Sequence, residues 1–213
     1  MKSAVIIANG RFRPSAGLRE VVAAADVVIC ADGGLRHART LGRAPHIVVG
    51  DFDSVPPRLL AWAERRGAEL RQHPTAKDKT DTELALDAAV AWGARLVDFL
   101  AVMGGRPDHA LANLFLLVAA RRHGVRSRIH DGRRLLFLVE SEEVVPGTRG
   151  DTLSFLALSD AAEGITTAGL RYPLAGGRLA VGSSLGISNV IESVPARVTV
   201  KRGVLLAMLS RRG

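Results

Sequence analysis

Short apolar runs alternate with helical patterns through the first part of the chain. Apolar runs of strand length occupy residues 4–8, 27–31, 47–49 and 96–102. Helical patterns occupy residues 56–66, 80–92 and 107–123, and Ser54 is a candidate N-cap of the first. Continuous apolar runs are typical of parallel strands that are covered on both faces. The alternation therefore predicts an α/β domain with a mostly parallel, doubly wound sheet.

The hydrophobic pattern changes near residue 130. Beyond it, glycine-containing turn signals separate short strand-like runs at residues 135–139, 152–157, 179–181, 197–200 and 204–209. Such runs, without a helical period, are typical of an antiparallel β-sandwich or barrel. We predict two domains: an α/β domain over residues 1–131 and an all-β antiparallel sandwich domain over residues 132–213.

Composition places the chain among globular proteins. Of its 213 residues, 47% are hydrophobic and 23% are charged, a balance that argues against disorder. Apolar runs are too short for a transmembrane helix, and the N-terminal run is too short for a signal peptide. Cys30 is the single cysteine, so an internal disulfide cannot form. We expect a cytoplasmic protein without a membrane partner.

The chain is basic, with a formal net charge of +8. Its arginines are spread along the sequence, and aromatic residues make up only 4%, too few for a base-stacking platform. We therefore expect a basic surface that favours small anionic ligands, and no nucleic-acid partner.

Polar and glycine residues gather directly after the strands of the first domain, at residues 9–10, 32–34, 50–54 and 104–109. In open α/β sheets, ligands bind outside the carboxyl ends of the strands. These segments therefore predict one site at that edge of the sheet.

Asp51 and Asp53 carry the sharpest chemical signal of these segments. An Asp-x-Asp pair on a turn aims two carboxylates at one hard cation, and Mg²⁺ prefers such oxygen ligands together with substrate phosphates. The alternative is that Asp51 and Ser54 only cap the helix that follows.

A second acidic segment, residues 78–83, opens the helical pattern over residues 80–92. As part of a site, it directs Asp81 toward the same cation, and Lys79 and Thr80 toward phosphate oxygens. The alternative is that the acids only cap the helix and complement its dipole.

A glycine turn leads to Arg106, Asp108 and His109 at the start of the next helical pattern. Backbone N–H groups at such a helix start favour anions, and the planar guanidinium of Arg106 suits a phosphate. Asp108 either caps the helix or accepts a hydrogen bond from a sugar or base.

In the second domain, Ser188 and Asn189 end a stretch rich in glycine and serine. The stretch is either an ordinary β-turn or a polar loop that binds a heteroaromatic ring. Tyr172, the single tyrosine, either stacks on such a ring or packs in the core.

In their order along the chain, these segments resemble the thiamine pyrophosphokinase family, over residues 31–34, 50–54, 78–81, 104–113, 169–174 and 186–189. The resemblance implies a nucleotide-binding catalytic domain over residues 1–131 and a thiamine-binding β-sandwich over residues 132–213. It implies ATP as co-substrate and Mg²⁺ as cofactor, with AMP and thiamine diphosphate as products. It also implies a homodimer whose sites lie between the subunits.

The residue roles also come from this resemblance. It implies that the catalytic and metal-binding acids are Asp51, Asp53 and Asp81. It implies that the positions around the nucleotide are Asp32, Thr80, Arg106, Asp108 and His109. It implies that the thiamine-binding residues are Tyr172, Ser188 and Asn189.

Two other functions remain open from the sequence. The segment around Asp51 also resembles the Asp-x-Asp signature of haloacid-dehalogenase-type phosphatases, in which Asp51 would be a nucleophile. The other alternative is a non-catalytic nucleotide- or RNA-binding protein, whose RNA binding would depend steeply on salt.

Overall fold

The computed structural model describes residues 1–212, which form two compact units. The first unit is Met1–Gly132, and the second begins at Arg133. The division therefore lies next to the change of hydrophobic pattern near residue 130. Within the described residues, none of the helices has the length and hydropathy needed to cross a bilayer.

The first unit alternates strands with helices. Its strands are β1 (Ser3–Ile7), β2 (Val27–Ala31), β3 (Ile47–Gly50), β4 (Glu69–Gln72), β5 (Leu96–Leu100) and β6 (Arg126–Asp131). Its helices are α1 (Ala16–Ala24), α2 (Leu35–Leu41), α3 (Pro57–Glu64), α4 (Asp81–Trp92) and α5 (Pro107–Arg122). A short 3-10 turn, Asp32–Gly34, joins β2 to α2.

All the strand pairs of the first unit are parallel, in the order β4-β3-β2-β1-β5-β6. After β1 the chain adds three strands on one side, and β5 then pairs on the other side of β1. This reversal of strand order is where doubly wound sheets bind ligands. The predicted α/β fold with a mostly parallel sheet is confirmed.

Helices cover both faces of this sheet. On one face, α1, α2 and α3 bury Leu18, Leu35 and Leu59 in a core with alternate residues of β1, β2 and β3. On the other face, α4 packs on β2 and β3, and α5 packs on β6. Two-sided cover explains why β1 and β2 are almost continuously apolar in sequence.

The second unit is built from antiparallel strands. These are β7 (Arg134–Val139), β8 (Glu142–Val144), β9 (Thr152–Ala157), β10 (Ala161–Ala168), β11 (Gly177–Ala180), β12 (Asn189–Val190), β13 (Arg197–Thr199) and β14 (Leu205–Ser210). They form two sheets, β12-β9-β14-β7 and β11-β10-β13-β8. One core joins both sheets and includes Phe137, Phe155, Ile165 and Val198. The predicted all-β antiparallel sandwich is therefore confirmed.

Candidate active site

The carboxyl ends of β1, β2, β3 and β5 surround a cleft of about 950 Å³ in the first unit. Seven of the predicted site residues line it: Asp32, Asp51, Asp53, Thr80, Asp81, Arg106 and His109. Asp108 follows Arg106 in α5, outside the lining. One cleft thus brings together residues from four segments that are far apart in the sequence.

Three carboxylates converge at the β2 and β3 side of the cleft. Asp32, Asp51 and Asp53 each offer an oxygen, and these oxygens lie within 4.8 Å of one another. Oδ1 of Asp32 is buried and has no hydrogen-bond partner among the described residues. An unpartnered carboxylate oxygen beside two further carboxylates suits a hard divalent cation, so the donor set fits a magnesium-type ion.

Asp81 lies outside this three-carboxylate group and is paired with Lys77 instead. Its Oδ1 is 2.9 Å from the Lys77 ammonium, which is also 3.8 Å from Oδ2 of Asp51. Burial lowers the pKa of Lys77, but the carboxylates of Asp81 and Asp51 outweigh it and hold the pKa above its usual value. Lys77 is therefore a protonated bridge between Asp81 and the cation group.

The backbone holds the converging acids in unusual conformations. Asp32 has φ 44° and Phe52, between Asp51 and Asp53, has φ 66°. The Asp53 N–H donates to Oδ1 of Asp51 at 3.1 Å, which closes the turn. A Cβ on Gly50 would lie 3.0 Å from the Asp32 Cβ, so only glycine fits there without displacing Asp32.

The capping alternative for Asp51 and Ser54 is wrong. The N-cap of α3 is Pro56, whose side chain cannot accept a hydrogen bond. The Ser54 hydroxyl donates to the Asp32 carboxylate instead, so it ties the turn after β3 to the turn after β2. Asp51 and Ser54 thus serve the cleft rather than the helix.

The two acids of the Asp-x-Asp pair have opposite pKa shifts. The N–H of Asp53 donates to Asp51 and lowers the pKa of that carboxyl. The negative charge of Asp51 raises the pKa of Asp53. The repulsion between them is what a bound cation would relieve.

Residues at the start of α4 both cap the helix and line the cleft. Thr80, and not one of the acids, is the N-cap, and its hydroxyl accepts from the Glu83 N–H at 3.2 Å. Asp81 and Glu83 lie in the first turn, where they complement the helix dipole as the alternative expects.

The Lys79 ammonium is bound by Asp87 at 2.6 Å and Glu83 at 3.6 Å, both on α4. Lys79 lines the cleft together with Lys77, and the expectation that Lys79 faces phosphate oxygens stays a prediction.

The loop after β5 brings α5 to the cleft. Ala101 has φ 55°, which ends the strand two residues before the predicted end, and Gly104 and Gly105 also have positive φ. The Arg106 guanidinium pairs with the Asp108 carboxylate through two contacts, of 3.2 and 2.6 Å. Buried Asn113 donates to the Val102 carbonyl at 2.8 Å and fixes this loop to α5.

In the second unit, Asn189 and Tyr172 form one local arrangement. Asn189 is buried, and its amide accepts from the Tyr172 N–H at 3.0 Å and donates to the Tyr172 carbonyl at 2.7 Å. The Tyr172 side chain is 64% exposed, so the expectation that it packs in the core is wrong. Ser188 is exposed with φ 61°, and its N–H donates to Ser154.

Two family models match the two halves of the chain. "Thiamin pyrophosphokinase, catalytic domain" matches residues 18–129, and "Thiamin pyrophosphokinase, vitamin B1 binding domain" matches residues 139–205. The chain belongs to the thiamin pyrophosphokinase family. The resemblance that the motifs predict is confirmed, as is the prediction of an enzyme.

Known members of the family are similar over most of the chain. A thiamine pyrophosphokinase of Bacillus subtilis is 28% identical over 171 residues, which are 79% of this chain and 80% of that protein. Thiamine pyrophosphokinase 1 of Oryza sativa subsp. japonica is 25% identical over 170 residues, 73% of this chain and 62% of that protein.

Solved structures show the same fold. The crystal structure of thiamine pyrophosphokinase from Bacillus subtilis has a TM-score of 0.87 at 25% identity, with 100% of both chains covered. The thiamin pyrophosphokinase of Candida albicans has a TM-score of 0.83 at 15% identity, and the match covers 98% of this chain and 88% of that one. At this identity the likeness shows the fold alone. These relatives give no support to the phosphatase or RNA-binding alternatives.

Proposed function

We propose that this chain transfers the pyrophosphoryl group of ATP to the hydroxyl of thiamine, with thiamine diphosphate and AMP as products. The observation that carries the proposal is the coincidence of two independent features. The catalytic-domain match over residues 18–129 includes Asp32, Asp51 and Asp53, whose carboxylates converge in the cleft. Because one fold supports many chemistries, the carboxylate site and not the sheet alone supports this function.

Asp51 and Asp53 are the proposed ligands of Mg²⁺, together with Asp32 or Asp81. The bound ion would neutralise the polyphosphate and leave the β-phosphorus open to attack. The turn that links Asp51 to Asp53 and the Ser54 hydroxyl on Asp32 keep these carboxylates oriented before substrate binds. Preorganised charge of this kind carries most of the rate acceleration in phosphoryl transfer.

The nucleotide is proposed to bind along the turn after β2, the start of α4 and the start of α5. At the start of α5, Pro107 has no N–H and the His109 N–H donates to Asp108, so the Asp108 N–H is the donor proposed for a phosphate oxygen. Arg106 is 72% exposed at its side chain, so its guanidinium can leave Asp108 for a phosphate. Asp32, Thr80, Asp108 and His109 complete the proposed nucleotide positions.

Thiamine is proposed to bind at Ser188, Asn189 and Tyr172. The exposed Tyr172 ring offers a face for the pyrimidine. Because the Asn189 amide holds the backbone of Tyr172 on both sides, Asn189 also sets where that ring stands.

We further propose a cytoplasmic homodimer with sites between the subunits and without nucleic-acid or membrane partners. Leu111 and Phe115 lie one turn apart on α5 and are 62% and 51% exposed. Two large apolar side chains exposed side by side support a face that a second subunit covers. Several arginines are paired with acids, including Arg171 with Glu192 and Arg197 with Glu142, which argues against a nucleic-acid surface.

One incubation tests the reaction. The protein is mixed with ATP, MgCl₂ and thiamine, and AMP, ADP and thiamine diphosphate are measured together. We expect AMP and thiamine diphosphate in equal amounts. Formation of ADP, or phosphate release without thiamine, would contradict pyrophosphoryl transfer and favour another phosphate chemistry.

A further inference from the structure

Lys77 lies in the segment between β4 and α4 and lines the cleft. Its side chain is 15% exposed, and its ammonium is 2.9 Å from Asp81 and 3.8 Å from Asp51. A lysine this enclosed is uncommon, because Lys is almost never buried unless it is paired. The two carboxylates hold its charge at the edge of the cation group.

The neighbouring cations differ from Lys77 in what they contact. The Lys79 side chain is 44% exposed and binds Asp87 and Glu83, neither of which belongs to the cation group. The Arg106 side chain is 72% exposed and binds Asp108, also outside that group. Lys77 alone of these three shares a carboxylate, that of Asp51, with the proposed metal site.

The charges of the cleft indicate what this ammonium can do. Asp32, Asp51, Asp53 and Asp81 bring four carboxylates together. A divalent cation on Asp51 and the ammonium beside Asp51 are then adjacent positive charges. Phosphate oxygens that bind the cation therefore arrive next to the ammonium, which has three N–H donors and can exchange a carboxylate for a phosphate.

We propose that Lys77 binds the β- and γ-phosphates of ATP, and that Asp81 and Asp51 hold its ammonium in place until the polyphosphate arrives. Lys79 also lines the cleft, but its ammonium is paired with Asp87 and Glu83 and not with the cation group. The inference rests on the proposed function, since it names a further substrate-binding residue for the same reaction.

Ligands that differ only in their phosphates test this assignment. Binding of the magnesium complex of α,β-methylene ATP, which cannot be cleaved between the α- and β-phosphates, and of AMP is measured by calorimetry. The variants are Lys77→Met, Lys77→Arg and, as the matched control, Lys201→Met at an exposed lysine of the second unit that does not line the cleft. We expect Lys77→Met to weaken binding of the ATP analogue at least tenfold and to leave AMP binding within twofold. Lys77→Arg keeps the charge and should recover part of the loss, and Lys201→Met should bind both ligands like the wild type.

The same measurements can overturn the assignment. Binding of the analogue by Lys77→Met within twofold of the wild type would contradict it, as would an equal loss for AMP or an equal loss in Lys201→Met. Wild-type turnover of ATP and thiamine separates the two proposals. If the wild type forms no AMP, the proposed function fails; if it does and Lys77→Met binds the analogue normally, only the role of Lys77 fails.

Discussion

Asparagine has nearly the shape of aspartate without its charge, so it isolates what the charges of Asp51 and Asp53 do. Both carboxylates belong to the three-acid group at the cleft. We expect Asp51→Asn and Asp53→Asn each to lower kcat about 100-fold or more, the scale of removing one preorganised charge-stabilising group. Steady-state kinetics at saturating Mg²⁺ measure this, with circular dichroism to check the fold.

Exposed Asp160 of the second unit provides the matched control. Asp160→Asn makes the same chemical change at a residue that does not line the cleft and should keep the wild-type rate. Wild-type rates in both cleft variants would remove Asp51 and Asp53 from the proposed metal site.

Asp98 is a buried charge that the cleft does not use. Its carboxylate accepts from Nε and Nη2 of Arg128 at 2.7 and 2.8 Å, and it lies 2.7 Å from Nε2 of His130. Burial raises the pKa of Asp98, but its hydrogen bonds with His130 and Arg128 outweigh this and hold the pKa below its ordinary value. Arg128 and His130 are alternate residues of β6, and Asp98 of β5 is the register partner of Arg128. This cluster could not be predicted, because the sequence does not show which strands pair or in which register.

A lowered pKa in the folded state means that ionised Asp98 stabilises the fold above the ordinary carboxyl pKa. That contribution disappears as the pH falls through the folded-state pKa. We expect the difference in unfolding free energy between wild type and Asp98→Asn to be constant from about pH 7 to about pH 4 and to shrink as the pH falls below about 4. Urea unfolding at each pH measures it, and a difference that stays constant over the whole range would show that Asp98 does not carry this pH dependence.

Among the elements, those with a strong apolar pattern could be predicted from the sequence and those held by backbone pairing could not. β1 and β2 follow from their continuous apolar runs and β9 from its alternation. The extent of α5 is also predicted, but the face that it buries is not, because Leu111 and Phe115 are exposed whereas Leu116 and Leu117 are buried.

β4 reads Glu-Leu-Arg-Gln and owes its strand form to pairing with β3, and β10 contains an irregularity between Glu163 and Ile165. α1 has only Leu18 and Val22 buried, too few for a periodic signal.

The same limit applies to the cleft. Strand ends meet at one edge of a parallel sheet, so the gathering of Asp32, Asp51 and Arg106 follows from topology alone. The pairing of Lys77 with Asp51 and Asp81, and of Lys79 with Glu83 and Asp87, does not, because a loop has no period that decides which acids its side chains contact.

Close packing between elements gives a prediction at Gly34, where the 3-10 turn meets β1. A Cβ on Gly34 would lie 2.0 Å from the Ile7 carbonyl oxygen, a backbone atom that cannot move aside cheaply. We expect Gly34→Ala to lower the free energy of unfolding by about 1–3 kcal/mol. In contrast, a Cβ on Gly17 in α1 meets nothing within 4 Å. Gly17→Ala should therefore raise stability by about 0.5–1 kcal/mol. Urea unfolding of both variants is the measurement, and a similar change in both would mean that the Gly34 contact carries no cost.

For the whole molecule, the proposed homodimer predicts complementation between two inactive variants. Asp53→Asn removes charge from the cleft. Asn189→Ala releases the backbone of Tyr172 and should weaken thiamine binding by about 1–3 kcal/mol, the cost of an unpaired buried polar group. If each site takes its acids from one subunit and its thiamine loop from the other, a mixed dimer contains one intact site. Activity should therefore reappear when the two variants are mixed and allowed to exchange subunits.

Each variant incubated alone is the control for that experiment and should stay at its own low rate. Subunit exchange is followed independently, with a different affinity tag on each variant. Exchange without recovery would contradict shared sites and favour a site built within one chain.

The left-handed backbone at Asp32, Phe52 and Ala101 lowers the stability of the fold at positions that shape the cleft. A residue with a side chain gives up roughly 1–2 kcal/mol in such a conformation, and glycine does not. Each of the three lies one or two residues after the end of a strand, in a turn beside the cleft. Selection for heat resistance would favour glycine at these positions, whereas selection for turnover keeps the Asp32 carboxylate and the stiffer turns. A heat-adapted relative of this protein should therefore gain its stability elsewhere, in helices and sheet edges that the reaction does not touch.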